Sequence, residues 1–380
     1  MSHIYQKNIP FFIFVFILIT STFSLNAQDE QNKFRNLEIK LHSGFHIYSG
    51  DKLGEALDNG YGAVEIRLGR TVPKKDNWTN YYNNPTYGFG VYSGAIGNPD
   101  LLGSPNAIFG FISFPIGKAD KHVFVIEPSF GITYDLKPHD PETNPLNDAI
   151  GSRAGVYFDL NFGGVLWVNR EMDFTYGFDL SHFSNGRTFT PNYGLNMAGF
   201  NVGFRYHFNR AQNKLDNNFI PERILPSRPS KLPVLSDTLV KRHGVNLYAA
   251  VGTTQVNDLD DRFFNSTLTV EYAYRRSMKH SYTFGFDLMY DGSLEGNFPE
   301  TKDRYLIGVH PGYDFSFWKL DLRAQVGFYL SDSRGKGAFY LRPSLRYRFN
   351  KNFFAQVGLK TKDGAAADWV EYGLGIQLGR

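Results

Sequence analysis

Hydrophobic and polar side chains alternate along much of this chain, and the alternation is strictest between Met172 and Ser181. The even positions of this stretch are apolar: Phe174, Tyr176, Phe178 and Leu180. The odd positions are Asp173, Thr175, Gly177, Asp179 and Ser181. A period of two predicts a β-strand with one apolar face and one polar face. Counted on by twos, the apolar face continues to His182 and Ser184, so a base and a hydroxyl are expected side by side on it.

The same pattern predicts sixteen strands in two groups of eight. The first group is expected at about 34–48, 60–71, 86–96, 106–117, 121–135, 151–168, 172–184 and 193–208. The second group is expected at about 243–256, 266–278, 281–291, 303–315, 317–331, 336–349, 352–362 and 369–379.

In the first group, short connections alternate with long polar ones, as the periplasmic turns and extracellular loops of a transmembrane β-barrel do. The turns at 117–121 and 168–171 are short, whereas the loops at 136–150 and 185–192 are long. The connection at 72–85 does not fit, because it should be a turn and is long. In this scheme His182 and Ser184 lie at the extracellular end of the seventh strand.

The first 27 residues read as a secretion signal. Lys7 supplies a weak basic region, Ile9 to Thr20 form an apolar segment, and a small-residue cleavage site ends at Ala27. The alternative is an N-terminal membrane anchor, but the apolar segment is short for a bilayer span. We therefore expect an exported chain with a cleaved signal peptide.

Composition narrows the fold class. Aromatic residues make up 16% of the chain, glycines number 38 and cysteine is absent, which excludes disulfides and thiol catalysis. After the signal, no apolar run approaches a membrane helix, so we predict an all-β protein, a transmembrane antiparallel β-barrel of the bacterial outer membrane. A soluble, secreted β-sandwich is the alternative. The net charge of +3 favours no nucleic-acid partner, and no spacing of metal ligands or cofactor motif is present.

The two groups of strands predict two tandem eight-stranded barrels, with one sixteen-stranded barrel as the alternative. The expected organisation is a signal at 1–27, a first barrel within 28–208, a periplasmic linker at 209–241 and a second barrel within 242–380. Four prolines without alternation mark the linker, and short matches in the same order suggest that the second group repeats the first. The equivalent of His182–Gly186 in the repeat is Lys360–Gly364, which has neither His nor Ser.

The pair on the seventh strand predicts nucleophilic catalysis. Side chains two apart on a strand run parallel, roughly 6.5–7 Å apart at Cα, so His182 can serve as the general base for Ser184. Asn196, on the neighbouring strand and the same face, is the candidate that orients the histidine ring. Backbone N–H groups at Asn185 and Gly186, with the amide of Asn192, are candidates for stabilising an oxyanion.

The segment 182–196, HFSNGRTFTPNYGLN, resembles the signature of the PagL-type lipid A 3-O-deacylases. These are eight-stranded outer-membrane barrels that remove an ester-linked acyl chain from lipid A. The resemblance covers about residues 1–208 and implies that Ser184 is the serine and His182 the histidine of the family, both facing outward. It implies lipid A, or lipopolysaccharide, in the outer leaflet as substrate and membrane partner.

One position departs from the family pattern. The family places a glutamate two residues after the glycine of the PNxG element, and this chain has Asn196 there. An amide can orient an imidazole but cannot offset the charge of an imidazolium. The loop carboxylates Asp140 and Glu142 are possible substitutes, and Arg187 beside the site is a candidate for contacting a lipid A phosphate.

The sequence therefore predicts an outer-membrane serine esterase that deacylates lipid A. A catalytically inactive outer-membrane barrel, acting as a pore or a structural protein, is the alternative.

Overall fold

The computed structural model describes residues 34–47, 50, 52–57, 60–72, 78–117, 121–169, 171–208, 242–256, 261–364 and 366–379. The predicted signal at 1–27 and the predicted linker at 209–241 lie outside the described residues. Within the described part of the chain, no helix combines the length and the apolarity needed to cross a membrane.

The described residues form sixteen antiparallel strands, β1 to β16, joined by connections that include a few short helices. The strands are Phe34–His46, Gly60–Thr71, Thr86–Ala95, Gly103–Ile116, His122–Leu136, Gly155–Trp167, Met172–Ser184, Leu195–Phe208, Arg242–Gln255, Arg262–Arg275, His280–Asp291, Tyr305–Phe317, Leu320–Tyr329, Phe339–Arg348, Phe353–Lys362 and Ala366–Leu378. Strands β1 to β8 form one closed barrel and β9 to β16 form another. The prediction of two eight-stranded barrels is confirmed, and the sixteen-stranded alternative is wrong because β1 pairs with β8 and β9 with β16.

The strands place their apolar side chains on the outside of each barrel. On β1, Leu37, Ile39 and Leu41 are 41%, 48% and 55% exposed, whereas the alternate positions Glu38 and Lys40 are almost fully buried. A soluble β-sandwich would place these faces the other way round, with the apolar face in its core. The apolar outer surface and polar interior are those of a transmembrane barrel, so the β-sandwich alternative is wrong.

Charged pairs and aromatic rings fill the interior of the first barrel. Glu127 binds Lys40 at 2.6 Å and Arg67 at 3.2 Å. At the end that carries the β1–β2, β3–β4, β5–β6 and β7–β8 connections, here called the loop end, the rings of Tyr157 and Phe183 pack 5.1 Å apart. These side chains occupy the space through which a channel would have to run.

The second barrel is filled in the same way. Glu271 pairs with Arg323 at 2.8 Å, and Asp287 pairs with Arg342 at 3.1 Å, both inside the barrel. Nearer the end that carries the β15–β16 connection, Asp368 is paired with Lys360 at 2.7 Å.

The long connection between β2 and β3 packs against the second barrel. Its residues Trp78–Tyr82 form a 3-10 helix. The ring of Trp78 lies 6.4 Å from that of Phe317 at the end of β12, and the hydroxyl of Tyr82 donates to the carbonyl of Ser316. The β2–β3 connection, which is longer than a periplasmic turn should be, therefore joins the two barrels at the end opposite the loop end.

Candidate active site

Strand β7 places His182 and Ser184 on the outer face of the first barrel. Leu180, one step before them on that face, is 39% exposed. The intervening residues point inward: Ser181 donates to Asp159 at 3.0 Å, and Phe183 is fully buried in the aromatic cluster. The alternation read from the sequence therefore describes the faces of this strand correctly.

Asn196 lies directly opposite His182 in the pairing of β7 with β8. Its Oδ1 is 2.7 Å from Nδ1 of the histidine. Because an amide oxygen only accepts, Nδ1 carries the proton in this hydrogen bond and Nε2 is left unprotonated. That is the tautomer a general base requires, and the structure brings together the two residues that the sequence paired.

Two donors point at the hydroxyl of Ser184. The backbone N–H of Gly186 donates to Oγ at 3.0 Å, and Nδ2 of Asn192 donates to it at 3.2 Å. Gly186 has a φ of 63°, in the left-handed region that favours glycine, and this turn directs its N–H back toward the serine. An anionic oxygen formed next to Oγ would lie within reach of both donors.

Asn185 has a different position from the one expected of an oxyanion donor. Its backbone N–H donates to Oδ1 of Asn192 at 3.0 Å, and its side-chain amide donates to Oγ of Ser152 at 3.1 Å. The first bond fixes the orientation of the Asn192 amide, so that Nδ2 faces Ser184. Asn185 therefore holds a donor in place, and Ser152, which the sequence reading missed, anchors Asn185 to the β5–β6 connection.

His182 and Ser184 make no direct hydrogen bond with each other among the residues that the structure describes. Ser184 is 7% exposed, so its surroundings cover it although it lies on the outer face. Catalytic hydrogen bonds are often long in a free enzyme and shorten in the complex with substrate. The two side chains lie on one face with the spacing of two strand residues, as predicted.

The two loop carboxylates considered as substitutes for a glutamate do not contact the histidine. The Asp140 carboxylate accepts from the backbone N–H groups of Thr143, at 2.7 Å, and of Glu142, at 3.0 Å. These bonds hold the pKa of Asp140 below its ordinary value, the one from Thr143 most strongly. Asp140 caps its own turn, and Asn196 is the group that holds His182.

Gly194 lets the histidine ring lie against the backbone of the β7–β8 connection. Its φ is 75°, and a Cβ added there would lie 2.8 Å from Cε1 of His182. We expect Gly194→Ala to displace the imidazole and lower kcat about 100-fold, since a shift of about 1 Å in a catalytic group can cost that much. The measurement is the steady-state rate of ester hydrolysis by the folded variant.

Gly117→Ala is the matched control for that substitution. Gly117 has a φ of 78°, and a Cβ there would meet no atom of the described residues within 4 Å. Both variants incur the backbone strain of a positive φ, and only Gly194→Ala should lose activity. Equal rates in the two variants would contradict the role given to Gly194.

The second barrel reaches the β7–β8 connection, which the sequence reading did not anticipate. Oε1 of Gln255, at the end of β9, accepts from the backbone N–H of Thr190 at 2.9 Å. The guanidinium of Arg262, at the start of β10, lies 3.9 Å from the centre of the Phe189 ring. Contacts between residues this far apart in sequence leave no periodic signal.

Arg187, the candidate for phosphate binding, lies in the same connection with a φ of 64° and is partly exposed. In the second barrel, Lys360, expected to correspond to His182, is fully buried and binds Asp368 inside the barrel. The outward residue beside it is Leu359. The second barrel thus presents an apolar surface at the position where the first presents its histidine.

Residues 62–205 match the family model described as lipid A 3-O-deacylase (PagL), and residues 243–380 match the model described as the C-terminal domain of acyloxyacyl hydrolase (PagL_C). Comparison with curated protein sequences gives no match. Neisserial surface protein A (NspA) is 10% identical with a TM-score of 0.31, covering 46% of this chain and 97% of its own. OccAB4 of Acinetobacter baumannii is 10% identical with a TM-score of 0.25, covering 93% and 100%.

Proposed function

Because the chain belongs to the PagL family of lipid A 3-O-deacylases, we propose that it is an outer-membrane serine esterase that hydrolyses an ester-linked acyl chain of lipid A. The main support for the proposal is the pair of hydrogen-bond donors around the hydroxyl of Ser184. Its Oγ lies on the outer face of the barrel and receives hydrogen bonds from two donors, Gly186 N–H and the Asn192 amide. The resemblance read from the sequence to this family is confirmed by the two family matches.

In the proposed reaction, Oγ of Ser184 attacks the carbonyl carbon of the ester while Nε2 of His182 takes the hydroxyl proton. The carbonyl oxygen becomes an anion, which Gly186 and Asn192 stabilise. The intermediate expels the sugar oxygen, which receives the proton from His182, and the acyl group remains on Ser184. Water, deprotonated by His182, then releases the fatty acid and restores the serine.

Asn196 is a positioning residue in this scheme. It holds Nδ1 of His182 at 2.7 Å and so keeps Nε2 available to accept a proton. The amide provides the tautomer but not the negative charge of a carboxylate. The expected consequence is a slower esterase than one with an acid at this position.

The outer face of the barrel supports a lipid substrate. Leu180 and Phe178, below the pair on the same face, are exposed apolar residues at the height of the acyl chains. A lipid of the outer leaflet would therefore approach sideways, with its ester at Ser184. Arg187, in the loop beside the site, is the proposed contact for a phosphate of lipid A.

The filled interiors of both barrels argue against the pore alternative. Ion pairs such as Lys40–Glu127 and Arg342–Asp287 occupy the two lumens. A chain of this kind is expected to conduct few ions in a planar bilayer. The remaining alternative is a barrel of the same fold without activity, which a direct assay separates from the proposal.

The assay is mass spectrometry of purified lipopolysaccharide incubated with the purified, folded protein. We expect lipid A to lose the mass of one acyl chain and the corresponding free fatty acid to appear. Lipid A from cells with and without the gene should differ by the same mass. Unchanged lipid A in both experiments would refute the proposed substrate.

A further inference from the structure

The second barrel packs against the glycine that supplies an oxyanion donor. A Cβ added at Gly186 would overlap Cγ2 of Val370 and lie 3.8 Å from Cδ1 of Leu359. Leu359 and Val370 are directly paired across β15 and β16, on the outer face of the second barrel. Leu374, four residues further along the same face, is 66% exposed, whereas Val370 is partly buried. Val370 therefore packs on the β7–β8 connection, here called the loop, instead of facing lipid.

Two polar contacts hold the same loop from the second barrel. Gln255 accepts from the N–H of Thr190 at 2.9 Å, and Arg262 stacks on Phe189 at 3.9 Å. Gln255 also approaches the loop through its backbone, with its N–H 3.5 Å from the carbonyl of Arg187. Residues of β9, β10 and β16 thus contact the loop between positions 186 and 190.

We propose that the second barrel completes the active site of the first, with Val370 and Gln255 as positioning residues that hold the Gly186 and Asn192 donors against Ser184. This inference rests on the proposed function for its reaction. It assigns to the C-terminal barrel, which lacks the His and Ser pair, a direct part in the rate of hydrolysis.

The physical reason lies in the backbone of the loop. Gly186 and Arg187 have successive φ values of 63° and 64°, a conformation that only glycine adopts without strain. A loop in this conformation needs surrounding contacts to keep it there. Stabilisation of an oxyanion depends on donors that are fixed before the reaction, so loosening the loop should lower kcat more than it changes KM.

The experiment compares full-length variants of Val370 and Gln255. Val370→Ala removes the methyl groups behind Gly186, and Gln255→Leu removes the acceptor for Thr190. We expect each to lower kcat about 10- to 100-fold, as displacement of a catalytic donor does, with KM nearly unchanged. Gln255→Glu keeps an acceptor oxygen and should restore most of the rate. Leu374→Ala, on the same face of β16, is the matched control and should behave as wild type.

A second readout does not depend on lipid A. The rate at which an alkyl fluorophosphonate labels Ser184 depends on the same donors and should fall in parallel with kcat, while heat-modifiable migration in gels shows that the barrels are folded. If Val370→Ala and Gln255→Leu keep wild-type hydrolysis and labelling, or if Gln255→Glu is as slow as Gln255→Leu, the inference is wrong. Failure of the wild-type protein to act on lipopolysaccharide would instead refute the proposed function, and the labelling rates would still decide this inference.

Discussion

Ser184→Ala is expected to abolish release of fatty acid from lipopolysaccharide, with a fall in kcat of about 10⁴-fold or more. The hydroxyl is the only group of the proposed mechanism that forms a covalent bond with the acyl chain. Its removal leaves Gly186 N–H and the Asn192 amide in place, so substrate binding should change little. The measurement is fatty-acid release by purified variants, with lipid A mass as the second readout.

Ser181→Ala is the matched control, because Ser181 lies on the same strand but on the opposite face. Its hydroxyl donates to Asp159 inside the barrel, 3.0 Å away. That variant should keep its activity and lose at most some stability, since it leaves a buried acceptor without its donor. Equal fatty-acid release by Ser184→Ala and wild type would eliminate Ser184 as the nucleophile.

The strands were predictable from the sequence because a transmembrane barrel imposes a strict period of two. The alternation predicts 172–184 for the seventh strand, and β7 is Met172–Ser184. The observed strand bounds differ most from the expected ones at β6 and β10. These strands start at Gly155 and Arg262, four residues away from the expected positions 151 and 266. Alternation defines faces well, but the point where pairing begins depends on loops that have no period.

The pairing of His182 with Asn196 was predictable for the same reason, since both lie on the outer face of adjacent strands. The contacts that hold the β7–β8 connection were not, because they come from the other barrel. The contacts of Gln255, Arg262 and Val370 with the loop arise from how two closed barrels pack together. No local pattern in either barrel encodes that packing. The unexplained length of the β2–β3 connection was the one sequence feature that pointed to it.

The different position of Asn185 has a geometric cause. A backbone N–H in a tight turn can point to only one acceptor, and the turn at Gly186 directs the Gly186 N–H to Ser184. The Asn185 N–H then points to Asn192. Sequence places the residues of such a turn together, but the turn geometry decides which N–H faces the serine.

Asn196→Asp is expected to raise kcat about 10- to 100-fold. The loss of about 10⁴ that follows from replacing the acid of a serine triad by an amide arises when the amide selects the wrong tautomer. Here Oδ1 of Asn196 accepts from Nδ1 of His182, so the tautomer is already the productive one. What the aspartate adds is a charged acceptor for the imidazolium, a gain of about 1.5–3 kcal/mol that corresponds to the stated rise in rate.

Asn196→Leu tests the other half of this argument. With no acceptor at Nδ1, neither the tautomer nor the ring orientation is fixed, and kcat should fall by up to about 10⁴-fold. The control is Asn196→Asp in a His182→Gln background, where the added carboxylate has no imidazolium to stabilise and should give no gain. A rise that persists without His182, or an Asn196→Leu variant as fast as wild type, would show that Asn196 does not act through the histidine. The opposite signs expected for Asp and Leu separate this role from a general effect on folding, which would lower the rate in both.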